Sequence, residues 1–157
     1  MVPTYAFEPL KGFGPLLLGQ AREDARAAMA SAGFPLESSN GSVDFFCEAS
    51  IQTECGEDGA VQFIGVSYNP KFIAAYRGIE VFAIDAQELF RFMAESDNSG
   101  PHEYEPSEYR FPSQLMTLWN ADPQYDRVGN ESKAVWGQVG LGNQAYAAAI
   151  ARIMADA

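Results

Sequence analysis

The sequence has little of what most metal, nucleophilic and nucleic-acid chemistries need. It holds one histidine, His102, and two cysteines, Cys47 and Cys55. A lone histidine cannot build a histidine-rich metal centre, and the cysteines form neither a C-x-x-C pair nor a framework of bridges. Basic residues are scarce, ten against 21 acidic ones, and they form no cluster, which disfavours nucleic acid as a partner. No run approaches the roughly 18 apolar residues of a membrane span. The opening MVPTYAFEPLKGFG does not read as a secretory signal, so the cytoplasm is the expected compartment. No cofactor or metal is expected.

What the sequence does have is length for one α+β domain over residues 1–157, and many aromatics: 11 Phe, 7 Tyr and 2 Trp. It also carries a net charge of −11, a surface that attracts cationic partners. Gly12, Gly14 and Gly19 precede a helix, as in a phosphate loop. However, the helix entry reads Gly19-Gln20-Ala21 where a Walker loop needs Gly-Lys-Ser/Thr, and the third glycine is misplaced for a dinucleotide fingerprint. The stretch therefore reads as a structural hinge.

Apolar spacing predicts a helix over 21–32, with Ala21, Ala25, Ala28, Met29 and Ala32 on one face and Gly33 as its stop. "VDFFCEASIQTEC" predicts one strand carrying Val43, Phe45, Cys47, Ala49 and Ile51 on one side. On such a strand Cys47 and Cys55 stand about 27 Å apart, too far to bridge. A turn at Gly56–Gly59 returns the chain through "AVQFIGVSY", and "YRGIEVFAI" predicts a third strand. Asp85 caps a second helix with Leu89, Phe92 and Met93 as its stripe, and Glu88 completes a capping box. Two or three strands follow in "YRFPSQLMTLWN" and "KAVWGQVGL". Asn143 then caps a last helix carrying Tyr146, Ile150, Ile153 and Met154. Helices around a mainly antiparallel sheet make an α+β fold, with helix-plus-meander occurring twice.

The polar loop 96–109 reads either as a solvated linker or as an electrostatic surface. His102 reads as an exposed loop residue, and Trp119 and Trp136 as core. Tyr125 reads as an exposed turn residue. "LLLGQAREDARAAMASAGFPLE" resembles the entry helix of the β-lactamase-inhibitor-protein-like fold, shared with small outer-membrane assembly lipoproteins. "YRGIEVF…ELF" and "YRFPSQLMTLW" look like segments of small cytoplasmic toxin-immunity proteins. The resemblance implies an acidic inhibitor that blocks a cationic toxin or other basic protein partner. The contact residues expected are Asp97, Glu103, Tyr104, Glu105, Glu108 and Tyr125. The alternative is a small enzyme or ligand-binding domain with carboxylates and tyrosines in a sheet cavity.

Overall fold

A computed structural model describes residues 2–125 and 132–155, with backbone alone for 123–125 and 132–133. The early glycines divide the first segment into a tight meander, β1 (Thr4–Glu8), β2 (Gly12–Phe13) and β3 (Leu16–Leu17). A Cβ on Gly12 would lie 2.1 Å from the Leu16 carbonyl oxygen, and Gly14 (φ +54°) leaves room for the Tyr5 ring. Both glycines allow one part of the chain to approach another closely. The meander itself was absent from the sequence expectation.

Helix α1 (Arg22–Ser31) carries Glu23 and Asp24 in its first turn. Its end is a Schellman turn: the Phe34 N–H reaches the Met29 carbonyl and the Gly33 N–H that of Ala30. Its buried face is narrower than the alanine spacing suggests, because Ala25 and Met29 are buried while Ala21 and Ala32 are exposed.

The segment expected as one strand is two. After β4 (Ser38–Asn40), β5 (Val43–Phe46) turns back into β6 (Ile51–Cys55), which pairs with β7 (Val61–Val66). Cys47, Glu48 and Ala49 all take positive φ at the turn. The Glu37 carboxylate accepts the Glu48 N–H at 2.7 Å and the Ala49 N–H at 3.0 Å, which holds this conformation. The turn also exchanges the expected faces. Asp44 and Phe46 are buried, whereas Val43 and Phe45 are half-buried. Cys47 and Cys55 are both buried free thiols, now on a hairpin and its turn.

"YRGIEVFAI" is likewise a hairpin: β8 (Ile73–Tyr76) meets β9 (Ile79–Glu80) across Arg77-Gly78, both at positive φ. Helix α2 (Ala86–Ser96) is capped by Asp85, whose carboxylate accepts the Gln87 N–H at 3.0 Å. Strands β10 (Glu108–Phe111), β11 (Met116–Tyr125) and β12 (Ser132–Gly142) follow, then α3 (Gln144–Ala155), where Asn143 Oδ1 accepts the Tyr146 N–H.

Two sheets result, ordered β3-β2-β1-β8-β9 and β10-β11-β12-β7-β6-β5-β4, antiparallel except for β1 beside β8. This is the expected α+β class. Helix-then-meander occurs as α1 with β4–β7 and as α2 with β10–β12. The two meanders join where β7 pairs with β12. One face of the large sheet carries Ile51, Ile64, Val66, Met116, Leu118 and Leu141 into a core shared with Met29, Leu89 and Met93. Phe63 alternates with Ile64 and faces the other way, where Tyr146 of α3 stacks on it at 4.7 Å. The stripe read along α3 covers the sheet only at its Tyr146 end, leaving Ile153 and Met154 exposed.

Asp44 secures α1 to the sheet. Arg22 and Arg26, one turn apart, each donate two hydrogen bonds to it at 2.6–3.0 Å, and Ser39 donates a fifth at 2.7 Å. Burial alone would raise this carboxyl's pKa, but the bonds from Arg26, Arg22 and Ser39 outweigh it and hold it well below the usual range. The Asp44 contribution is therefore complete above about pH 5, and is lost as pH falls through and below the ordinary carboxylate range. We predict that Asp44→Asn costs about 3 kcal/mol in urea unfolding at pH 7, with the gap from the parent narrowing in acid. An unchanged midpoint would contradict this role. Burial pushes the Cys47 and Cys55 thiols up. Both should react slowly with a thiol reagent until urea is added.

Candidate functional site

The loop between α2 and β10 begins on a buried carboxylate. Asp97 accepts the Ser113 N–H at 3.1 Å, the Gln114 N–H at 3.0 Å, and both the Ser99 N–H and hydroxyl. Burial opposes its ionisation, yet the bonds from Ser99 and Gln114 prevail and keep its pKa low. Asp97, expected among the contact residues, is thus turned inward and ties the loop to the β10–β11 turn.

His102, expected to be exposed, has a side chain only 5% exposed. Its Nε2 lies 3.3 Å from both Asp97 Oδ1 and the Asp97 carbonyl, and its Nδ1 lies 2.5 Å from the Tyr109 hydroxyl. The Asp97 oxygens only accept, so Nε2 carries a hydrogen, and Nδ1 shares the remaining hydrogen bond with the Tyr109 hydroxyl. Burial, with Asp97 adding to it, raises the Tyr109 pKa and keeps that hydroxyl protonated. The Asp97–His102–Tyr109 chain is a latch that fastens the loop.

The fastened loop turns its remaining acids outward. Glu103, Glu105 and Glu108 are exposed, and Tyr104 is half-buried against Phe90 at 5.4 Å and Trp136 at 6.0 Å. Burial, then the charge of Asp85, raises the Tyr104 pKa, so Asp85 lies within electrostatic reach of this ring. The Asn120 N–H bonds to the Ser107 carbonyl and the Ala121 N–H to that of Pro106, extending the β10–β11 ladder into the loop. Tyr125 ends β11, paired with Ser132, so it is not a turn residue; its side chain lies outside the described residues.

Sequence reasoning also misplaced Trp119, expected in the core. It is 49% exposed, directly opposite Glu108 on the edge strand β10, with exposed Asp122 three residues on. Trp136 is the core tryptophan, 1% exposed, donating its indole N–H to the Ala86 carbonyl at 2.9 Å. Trp119 falls where Asn120 adopts φ +56° and interrupts the pleat, a break that alternation alone does not report. On the same sheet face, Arg110 Nε is buried without a hydrogen-bond partner among the described residues. No protein-family model, curated protein or solved structure matches the chain.

Among the described residues, no group of three or more histidine, cysteine, aspartate or glutamate residues is arranged to hold a metal ion. What this edge offers is an accessible indole set among carboxylates. We predict that neutral acrylamide quenches one of the two tryptophans readily, and that Trp119→Phe removes this fraction while changing stability by less than about 0.5 kcal/mol. Trp136→Phe should cost about 2 kcal/mol and leave the quenchable fraction in place. The reverse pattern would contradict the assignment.

Proposed function

We propose that this is an acidic binding protein whose β10–β11 edge holds a basic protein partner, in the manner of an immunity or inhibitor protein that blocks a cationic toxin domain. The half-exposed Trp119 beside Glu108 carries this reading. A large exposed indole on β11, next to the edge strand β10, supplies the desolvated anchor that charge alone lacks. Glu108 opposite it, Asp122 on the same strand, and Glu103 and Glu105 on the loop leading into β10 supply steering toward positive charge. Tyr104, braced by Phe90 and Trp136, adds a rigid second contact. Asp97 contributes indirectly, by holding the loop in place.

A cytoplasmic location belongs to the proposal. Among the described residues no helix is long and apolar enough to cross a membrane. One observation favours a ligand-binding reading instead: Tyr146, whose pKa is raised by burial and by Glu54, stands within electrostatic reach of Arg110 and Glu108 on the open sheet face. A small-molecule carboxylate on Arg110 would satisfy its unpartnered nitrogen.

The test is capture of partners from the native host at low and moderate salt. A basic protein released as salt rises supports the proposal, whereas recovery of a small molecule alone overturns it. With the partner in hand, neutralising Glu103, Glu105 and Glu108 together should slow association several-fold and flatten its salt dependence. Trp119→Ala should instead speed dissociation by about tenfold or more.

A further inference from the structure

Beyond the β10–β11 edge, the small sheet carries a recess of about 240 Å³ lined by Tyr68, Pro70, Phe72, Phe82 and Ala83, with Glu80 the one charged residue in its lining among the described residues. Its walls are fixed. The Asn69 side chain accepts the Lys71 N–H at 2.9 Å and donates to Glu48, and the Phe72 N–H reaches the Asn69 carbonyl. On the other side, the tight Arg77-Gly78 turn sets Glu80 opposite Ala75, and the Val81 N–H bonds to the Ala74 carbonyl. Phe72 and Phe82 are buried, whereas Glu80 is exposed at the rim.

Among the described residues, the charge lining this rim is one-signed. A second recess shares Glu80 and Ala83 and adds Asp85 and Glu88. The nearest cations in sequence are engaged elsewhere. Lys71 Nζ lies 3.1 Å from a Glu48 carboxylate oxygen, and the Arg77 guanidinium lies 5.9 Å from the Tyr76 ring centroid. Among the described residues no salt bridge involves Glu80. The volume is below the roughly 300 Å³ at which drug-sized ligand pockets begin, and suits a single side chain. An uncharged apolar guest would fill the aromatic walls but desolvate Glu80 without compensation. A long cationic side chain satisfies both parts, with its methylene stem against the rings and its charged head at the carboxylates.

We propose that this recess receives a lysine or arginine side chain of the basic partner, an inference that rests on the partner reading above. Asp85 joins the two areas, since it lines the second recess and acts electrostatically on Tyr104. The partner is thereby specified further: it presents one protruding cationic side chain at a distance from the segment that meets Trp119.

The test uses the free protein and two probes, Nα-acetyl-lysine methylamide and its uncharged analogue Nα-acetyl-norleucine methylamide, followed by amide chemical shifts. The lysine probe should move Ile73, Ala74, Glu80 and Ala83 saturably, with an affinity roughly fivefold above that of the norleucine probe. Glu80→Gln should abolish that preference without changing the melting temperature, as expected for an exposed side chain. Equal shifts from both probes, or lysine shifts confined to residues 103–122, would overturn the recess assignment. Because no partner is needed, a failure here with successful capture of a basic protein removes only the recess. Failed capture with a positive titration removes only the partner reading.

Discussion

The pairing of β7 with β12 is the constraint on which the rest of the structure depends. Gly65 opposes Gly140 across this seam, with Val66 against Val139 and Ile64 against Leu141. The branched residues fill the core face, and the glycines leave the opposite face low. A Cβ on Gly140 would lie 2.5 Å from the Phe63 ring, so Phe63 lies across the space that a side chain would take. That ring is the platform on which Tyr146 stacks, so one seam both merges two meanders into a seven-stranded sheet and seats the last helix. The second meander brings its helix with it, through the Trp136 indole bonded to the Ala86 carbonyl.

This arrangement also separates charge. The described lysine and arginine salt bridges place Arg22 and Arg26 on Asp44, Arg26 also on Glu23, Lys11 on Glu8 and Lys71 on Glu48. All of these lie in the first half of the chain. None neutralises Glu103 or Glu105 on the loop latched by Asp97 and His102, or Glu108 opposite Trp119.

Much of the local architecture was legible in the sequence because its signals are short-range. Gly33 ends α1, Asp85 and Asn143 cap α2 and α3, and the Gly56–Gly59 turn joins β6 to β7. What stayed hidden depends on distant partners. The Cys47–Ala49 turn relies on Glu37, and β1 is a strand because β8 lies beside it. Asp97 and His102 look like ordinary loop polars until Ser113, Gln114 and Tyr109 are folded against them. The two tryptophans carry no local mark that tells outside from inside. Of the opening glycines, read as a hinge, Gly12 and Gly14 allow close approach within a meander that the sequence did not suggest.

We propose that a basic protein seats on the β10–β11 edge around Trp119. Amide hydrogen exchange of the protein alone and in complex with a captured partner tests it most directly. Binding should slow exchange across residues 103–122 and around 79–88, leaving the β4–β5 edge unchanged. Slowing confined to the β4–β5 edge or to α3, with the Trp119 region exchanging as in the free protein, would contradict it.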